Sequence, residues 1–346
     1  MLIINRHLLS TMKAAVFDGN DIKVEEIKIP SLKESQVLIQ VKAIGLCGTD
    51  LGIVEGHLPT PTPIIIGHEF SGVVTKIGDE INPSWIGKRV VSEINSNIDF
   101  SCYYCKKEIY TQCISRKAIG IDVDGALAEF IAVESYLVHE IPDSLSFNEA
   151  TFIEPLAAAY QTFEMMPLED NDKTIAIFGL GKLGLLILQI AVLKGLEVIA
   201  VDGSNKKLEL AKKFGASKII NRLEVDKITQ SIKNYTRGLG ADIVIDCSGN
   251  PEALIDIVSS CKTRGKIHIK STHGLGTPID LTDLVVREIT LYTSRCGPFS
   301  KAIEGLSKNQ ISVKELISKT YQLDNIENAF KYYKKNRDIV KIIVDI

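Results

Sequence analysis

Three short segments of the chain place potential metal ligands beside glycines and apolar residues. They are GLCGTD, with Cys47, Thr49 and Asp50; GHEFSG, with His68 and Glu69; and IEPL, with Glu154. Taken alone, a cysteine or a histidine is more often a buried or hydrogen-bonded residue than a ligand. Sulfur, imidazole nitrogen and carboxylate oxygen together are donors that zinc accepts, and a catalytic zinc site keeps one position open. The three segments together therefore predict one catalytic zinc site.

The predicted site suits the interconversion of an alcohol and a carbonyl compound. A substrate oxygen in the open position would be polarised by the metal, which stabilises an alkoxide near neutral pH. A hydride would pass between the substrate carbon and a nicotinamide. The Thr49 hydroxyl, two residues after Cys47, could relay the alcohol proton. Asp50 could accept a hydrogen bond from the His68 nitrogen that faces away from the metal, which would fix the tautomer of the ring.

Cysteines also cluster in one later loop, where Cys102, Cys105 and Cys113 follow the pattern C-x2-C-x7-C. Asp99 stands three residues before the first of them and completes a set of four donors. A closed four-coordinate site of this kind suits structural zinc, although one oxygen among three sulfurs is less common and weaker. Two alternatives remain open, a loop with free thiols and a redox-active CxxC pair.

A glycine-rich turn indicates a dinucleotide site. It follows the strand-like TIAIF and opens the helix-like KLGLLILQIAVLKG, which is the context that makes a GxGxxG pattern specific. The first glycine permits a tight turn, the second lets the backbone approach a pyrophosphate, and the third lets helix and strand pack closely. The alternative is a plain α/β turn. The candidate cofactor residues in the turn are Gly179, Leu180, Gly181, Lys182, Leu183 and Gly184.

The next strand-like run, EVIAVD, ends at Asp202, 18 residues after Gly184. A carboxylate at that point can accept both ribose hydroxyls and would repel a 2′-phosphate, so NAD is favoured over NADP. Lys206 and Lys207 leave NADP open, because either could meet that phosphate. Ser248, which follows the strand-like DIVID, is a further cofactor candidate.

The elements that must position these residues fall into three stretches. The first 150 or so residues contain short apolar runs between Gly, Pro and Asp turns, which is a β-rich pattern. Apolar strands and amphipathic helices then alternate to about residue 298, as a parallel βαβ sheet requires. The chain returns to mixed elements and ends in VKIIVDI. We therefore predict an α/β protein with a β-rich catalytic domain at 1–157 and 299–346 and a Rossmann doubly wound, parallel-sheet domain at 158–298.

Composition excludes several classes of function. The chain has 346 residues, of which 45% are hydrophobic and 24% charged, and its formal net charge is -3. No basic excess indicates nucleic acid or an anionic membrane, and no apolar run reaches the roughly 18 residues of a membrane span. The seven cysteines favour metal over disulfides and a cytoplasmic location. Residues 1–11 are predicted to be an extension before a domain that begins at Met12.

Together these motifs resemble the medium-chain zinc-dependent alcohol dehydrogenases. GLCGTD, GHEFSG, the cysteine loop, EPLAAA and FGLGKLG occur in that family's order and spacing over nearly the whole chain. The His-Glu pair in GHEFSG and the Glu-Pro-Leu of IEPL are similar to the polyol, glucose and threonine dehydrogenase branch. The resemblance implies Cys47, His68 and Glu69 as primary zinc ligands and Glu154 as a direct or alternating ligand.

The resemblance also implies a GroES-like fold for the β-rich domain and a homodimer or homotetramer joined through the Rossmann domain. The segment LVVREITLYTSRC is the expected joining edge, since an exposed apolar strand edge needs covering. Two positions depart from the family pattern. Asp99 stands where the family has a cysteine, which implies a weaker structural site. Gly52 stands where a proton-relay histidine is frequent, so the proton path beyond Thr49 is open, with His57 nearby in sequence.

The predicted activity is hydride transfer between the CH–OH group of an alcohol or polyol and NAD(P). An L-threonine or aldose dehydrogenase of the same chemistry is the alternative within the family. Two other classes stay open, a zinc-free reductase on the same scaffold and a nucleotide-binding protein without catalysis. The substrate pocket is expected from residues 52–60, 114–122 and 271–296, with His273, Arg295 and Phe299 as candidates for its lining.

Overall fold

The computed structural model describes residues 10–272 and 274–346. Most of the predicted N-terminal extension lies outside the described residues, as does His273, which was predicted to line the substrate pocket. Thr11 already belongs to the first strand. None of the helices in the described part of the chain is long and apolar enough to cross a membrane.

The described residues form strands and helices in the following order. The strands are β1 (Thr11–Phe17), β2 (Ile22–Lys28), β3 (Gln36–Gly45), β4 (Ile64–Ile65), β5 (Glu69–Ile77), β6 (Arg89–Ser92), β7 (Asn95–Ser96), β8 (Lys117–Ala118), β9 (Phe130–Glu134), β10 (Val138–Glu140), β11 (Thr174–Phe178), β12 (Glu197–Asp202), β13 (Lys218–Asn221), β14 (Ala241–Asp246), β15 (Cys261–Ile269), β16 (Thr290–Thr293), β17 (Ile317–Gln322) and β18 (Lys341–Asp345). The helices are α1 (Gly48–Val54), α2 (Phe147–Ala150), α3 (Ile153–Met165), α4 (Lys182–Leu193), α5 (Asn205–Lys213), α6 (Ile228–Tyr235), α7 (Ala253–Ser260), α8 (Leu281–Val286), α9 (Phe299–Ser307) and α10 (Ile326–Lys335).

Two compact units share the chain. The first runs to Ile153 and adds Lys319–Lys335 and Ile342–Ile346. The second contains Glu154–Ser318 and Asn336–Lys341. The largest difference from the predicted domain bounds concerns residues 299–318, which the sequence analysis placed in the β-rich domain.

Contacts of α9 and the loop after it explain that difference. A Cβ on Gly305 would lie 2.5 Å from the hydroxyl oxygen of Tyr160, so α9 packs directly on α3. Gln189 of α4 donates from Nε2 to the Ser312 carbonyl at 3.0 Å and accepts from the Ser312 amide at 2.7 Å. These contacts hold residues 299–318 in the second unit. The sequence shows no change in the spacing of apolar residues that would have marked this boundary between the units.

The first unit is built around antiparallel strands. Its main sheet has the order β10-β6-β5-β3-β18-β17, with β9 also pairing with β3. In β3 the register places Gly45 opposite Glu69, the first residue of β5. A Cβ on Gly72 would overlap the Gln40 carbonyl, so only glycine permits the close approach of β5 to β3 at that point. The sheet therefore brings the segments GLCGTD and GHEFSG to one end.

The second unit contains a parallel sheet with the order β13-β12-β11-β14-β15-β16 among its described residues. The runs TIAIF, EVIAVD and ADIVID supply buried strands, because such a sheet is covered by helices on both faces. The strand order reverses between β11 and β14, and ligands of doubly wound sheets bind beyond the carboxyl ends of the strands at such a point. The predicted Rossmann arrangement is confirmed.

A buried histidine in this sheet makes stability depend on pH. His268 of β15 has no exposed surface, and its Nε2 lies 2.9 Å from the Ser294 hydroxyl. Nδ1 has no hydrogen-bond partner among the described residues. Burial, with a smaller contribution from the Lys270 charge, lowers the pKa of His268 from 6.5 to about 4. The unfolded chain therefore binds more protons between these values, and stability falls as the pH falls from about 6.5 to about 4.

We expect His268→Phe to remove this dependence. Between pH 7 and pH 5 the wild type should lose about 2 kcal/mol of unfolding free energy through this one group, because one pKa unit corresponds to about 1.4 kcal/mol. Urea unfolding followed by circular dichroism at both pH values measures the difference. His57→Gln, at an exposed histidine, is the matched control and should keep the wild-type dependence. An equal loss in the wild type and His268→Phe would contradict the prediction.

Candidate metal and dinucleotide sites

The first candidate site lies in the first unit, where β3 ends and β5 begins. Cys47 immediately precedes α1, and His68 immediately precedes β5. One donor atom from each of Cys47, His68 and Glu69 lies within 4.8 Å of the others. Ligands of a tetrahedral zinc ion are separated by about 3.5 Å, given zinc–ligand distances near 2.0 to 2.3 Å. The cluster therefore needs only small side-chain adjustments to bind one ion.

Asp50 fixes two members of this cluster. Its side chain is fully buried, and its Oδ2 accepts from the Cys47 amide at 2.8 Å at the start of α1. Its Oδ1 lies 3.4 Å from His68 Nδ1. The two atoms are close enough for a hydrogen bond, but their geometry does not meet the angular requirement for one. A hydrogen bond between these two atoms would orient the ring and leave Nε2 for a metal.

The charges around the cluster favour a cation. Cys47, Glu69 and Asp50 can each carry a negative charge, and Glu69 and Asp50 are buried. Burial alone would lower the pKa of His68, but the Asp50 carboxylate and the Cys47 thiol raise it well above 6.5. Buried anions are costly unless a positive charge compensates them. The donor set and its charge thus fit a zinc ion.

Other residues predicted for this site lie as follows. The Thr49 hydroxyl is 3.6 Å from the Cys47 sulfur and half-buried. His57, the alternative to the missing relay histidine at Gly52, is mostly exposed and lies 3.7 Å from Glu55. Glu154 belongs to the second unit, where it is half-buried in the first turn of α3. Burial lowers the pKa of Lys270 to about 8, and the Glu154 charge opposes part of that effect. Its role as a zinc ligand stays a prediction.

The second candidate metal site is the loop of Asp99, Cys102, Cys105 and Cys113, called the cysteine lobe below. One donor atom from each residue lies within 4.8 Å of the others, and the sulfurs of Cys102 and Cys105 are 3.5 Å apart. Cys105 and Cys113 are buried. Three sulfurs and one carboxylate at this spacing match a closed tetrahedral zinc site.

Asp99 is also the residue that shapes this loop. Its Oδ1 accepts from the amides of Ser101 and Cys102 at 2.7 and 2.8 Å, and its Oδ2 accepts from the Ser115 hydroxyl at 3.0 Å. The two amide donors hold the pKa of Asp99 well below its ordinary value. Burial raises the pKa of the Cys105 thiol to about 12 and so favours its protonated form. A bound metal ion reverses this preference, because a coordinating thiol is deprotonated. The carboxylate keeps a lone pair on Oδ2 for such an ion.

The glycine-rich turn of the second unit has the geometry that phosphate binding requires. Gly179 has a positive φ of 89°, and a Cβ on Gly184 would overlap the Gly179 carbonyl. A Cβ on Gly181 would meet nothing within 4 Å, so the space beside that backbone is open. α4 begins at Lys182. Its N-terminus provides backbone N–H groups and a favourable dipole for a pyrophosphate.

A cavity of about 570 Å³ lies beside this turn, with Asp202, Lys207 and Ser248 in its wall. Asp202 Oδ2 accepts from the Leu180 amide at 2.7 Å, and its Oδ1 accepts from the Ser204 amide at 2.9 Å. Burial lowers the pKa of Lys207, and the Asp202 charge opposes that effect. The size of the cavity is within the range of small-molecule and cofactor sites.

Sequence reasoning missed other residues of this cavity. Arg222, Asn250 and Arg337 also line it. Arg222 directly follows β13, the neighbour of β12 in the sheet, so the rule on carboxyl ends could have found it. Arg337 comes from the distant C-terminal part of the chain, where no motif marks it. Lys206 is exposed and is not part of the wall among the described residues.

Two candidates for the substrate pocket have different environments in the second unit. Phe299 is buried at the start of α9. Arg295 is exposed and donates to the Cys296 sulfur at 3.8 Å. A contact of either residue with substrate stays a prediction.

Comparison with known families and structures supports the two-part fold. The family model described as "Alcohol dehydrogenase GroES-like domain" matches residues 33–143, and the one described as "Zinc-binding dehydrogenase" matches residues 183–309. D-arabitol-phosphate dehydrogenase of Enterococcus avium is 32% identical over 328 residues, which are 92% of this chain and 92% of that protein. Sorbitol dehydrogenase of Bacillus subtilis (strain 168) is 32% identical over 330 residues, which are 92% of this chain and 93% of that protein.

A solved structure agrees with these matches. A protein of Escherichia coli CFT073, described as a short chain alcohol dehydrogenase complexed with NADH, is 25% identical, with a TM-score of 0.89 over 97% of this chain and 100% of that chain. The GroES-like and Rossmann folds and the family's cofactors, zinc and NAD(P), are therefore as predicted. The chain belongs to the medium-chain zinc-dependent alcohol dehydrogenases.

Proposed function

We propose that this enzyme oxidises a secondary hydroxyl group of a polyol or sugar alcohol, and reduces the corresponding ketone, with NAD(H) as the preferred cofactor. The observation that carries the proposal is the cluster of Cys47, His68 and Glu69, held by buried Asp50. The relatives named above act on arabitol phosphate and sorbitol. Both relatives are 32% identical to this chain over 92% of its length. This similarity supports a polyol rather than a simple alcohol as the substrate.

The residues of the first unit have distinct tasks in this proposal. When bound, zinc supplies a Lewis acid for the substrate oxygen. Asp50 holds His68 in one orientation and, through the Cys47 amide, fixes the start of α1. The Thr49 hydroxyl, close to the Cys47 sulfur, would take the proton of the substrate alcohol while it releases its own proton to solvent water. Glu154 is proposed as an exchangeable ligand, on the family resemblance.

A substrate panel tests the proposal. Zinc-loaded enzyme is incubated with NAD and with sorbitol, arabitol phosphate, 2,3-butanediol, L-threonine or glucose, and NADH formation is followed by absorbance. We expect the highest kcat/KM with a polyol or polyol phosphate. A higher value with L-threonine or glucose would support the alternative within the family. Zinc and NADH binding without turnover of any compound would contradict a catalytic role.

The preference for NAD is tested at Asp202. We expect Asp202→Asn to reduce the ratio of kcat/KM for NAD to that for NADP by at least about tenfold, because it removes a negative charge that faces a 2′-phosphate. Asparagine keeps an acceptor for the Leu180 or Ser204 amide, so the loop is less disturbed than with alanine. Asp226→Asn, at an exposed acid that does not line the cavity within the described residues, is the control. An unchanged ratio in Asp202→Asn would contradict the assignment.

Assembly and location are further parts of the proposal. β16 is the edge strand of the parallel sheet in its described order, and Val285, Val286 and Leu291 nearby are exposed. We expect two copies to pair along this edge, since an exposed apolar strand edge needs covering. A cytoplasmic location fits the seven cysteines, which carry no disulfide among the described residues, because metal-binding thiols must stay reduced.

A further inference from the structure

Arg222 occupies an unusual place in the nucleotide cavity. Residue 203, next to the acid that ends β12, is a glycine and provides no side-chain wall. The guanidinium of Arg222 fills that space instead. Its Nε, Nη2 and Cζ atoms lie 3.1, 3.2 and 3.3 Å from the point that a Cβ on Gly203 would take. The guanidinium group therefore lies against Gly203, where any larger side chain would meet it.

The backbone fixes this arrangement. β12 and β13 are parallel neighbours with Asp202 opposite Asn221, and the Arg222 amide donates to the Asp202 carbonyl at 3.0 Å. Arg222 therefore emerges at the same end of the sheet as Asp202. Its side chain is exposed, and among the described residues its guanidinium forms no hydrogen bond or ion pair with a carboxylate. Its donors remain available to a ligand.

A cation lies directly beside the candidate ribose acid, although ribose hydroxyls require none. Asp202 is the acid predicted to bind the adenosine ribose, and its two oxygens already accept from backbone amides. The rest of the charged wall consists of three cations and two further acids, namely Lys207, Arg222, Arg337, Glu252 and Asp256. Hydroxyl groups carry no charge, whereas a phosphate is the group that a planar arginine fork binds best. A cation directly beside the ribose acid is therefore suited to a substituent on that ribose.

We propose that Arg222 is a specificity-determining residue that binds the 2′-phosphate of NADP and so lets this enzyme accept NADP as a second cofactor. The inference rests on the proposed function, because it requires the cavity to hold an adenine nucleotide. Asp202 sets the preference for NAD by repulsion, and Arg222 limits that preference. Lys207, in the first turn of α5, adds a second positive charge to the cavity wall.

Binding of nucleotide fragments tests the inference without turnover. Purified, zinc-loaded enzyme is titrated by calorimetry with 2′,5′-ADP and with 5′-AMP in about 0.15 M salt, where screening removes distant charge effects. We expect Arg222→Gln to weaken 2′,5′-ADP about 30-fold and 5′-AMP less than threefold, since loss of one charge-assisted phosphate contact costs about 2 kcal/mol. Arg222→Lys should restore part of the loss.

The matched control is Lys212→Gln, which removes one positive charge from an exposed position of α5 outside the described wall of the cavity. It should change both affinities less than threefold. An equal loss of both ligands in Arg222→Gln would overturn the inference and assign Arg222 to adenine binding. No loss in that variant, or no binding of 2′,5′-ADP by the wild type when 5′-AMP binds, would also overturn it. If the wild type binds neither 5′-AMP nor NADH, the proposed function fails as well.

Discussion

Cys47→Ser is expected to lower kcat/KM for the best alcohol substrate by at least about 1,000-fold, which corresponds to roughly 4 kcal/mol of transition-state stabilisation. A hydroxyl is a far poorer zinc ligand than a thiolate. The change also leaves His68 and Glu69 buried without the third donor of their cluster. Metal content measured by mass spectrometry should fall by about one zinc per chain. NADH binding should be unchanged, because the cavity beside the glycine-rich turn lies in the other unit.

Two further variants separate metal binding from general damage. Cys261→Ala removes a fully buried thiol from β15 and should keep both zinc and activity.

Asp50→Asn keeps an acceptor for the Cys47 amide but weakens the contact with His68 Nδ1. Loss of such a supporting partner lowers metal affinity or activity by about 10- to 100-fold. Full activity of Cys47→Ser together with a missing metal ion would show that the reaction does not use this zinc.

The sequence was most informative where short-range spacing already determines the structure. Cys47 and Asp50 are three residues apart at the start of one helix, and the GxGxxG turn lies between one strand and one helix. Glycine marks these turns because a positive φ or a close backbone approach excludes other residues. The alternation of strands and helices also predicted a parallel sheet, since parallel neighbours require crossover connections.

Features that depend on contacts between distant segments were not predictable in the same way. The hydrogen bonds between Gln189 and Ser312 place residues 299–318 in the second unit. Arg337, from near the C-terminus, lines the cavity beside the glycine-rich turn. His268 lies within the strand-like KIHIKST, where nothing in the sequence distinguishes a buried histidine from an exposed one. Such positions follow from tertiary packing rather than from local periodicity.

The cysteine lobe is the second place where a single substitution should have a large effect. Wild-type enzyme is expected to contain two zinc ions per chain, and Cys105→Ser only one. The free energy of binding a structural zinc ion stabilises the folded loop around it, because the unfolded chain has no preformed site. Loss of about 3 to 5 kcal/mol should lower the melting temperature by about 10 °C. Metal analysis and calorimetric unfolding measure both quantities, and one zinc per chain in the wild type would exclude the second site.

We expect Asp99 to determine how tightly the cysteine lobe binds zinc. Asp99→Asn keeps an oxygen for the amides of Ser101 and Cys102 but removes the charge, so it should lose the metal at lower chelator concentration than the wild type. Asp99→Cys should bind zinc more tightly, because it completes a four-sulfur site, although it removes the acceptor for those amides. If neither variant alters the chelator concentration at which the second zinc is released, Asp99 is not a ligand and acts only on the shape of the loop. Opposite shifts in the two variants would assign the fourth ligand to its carboxylate.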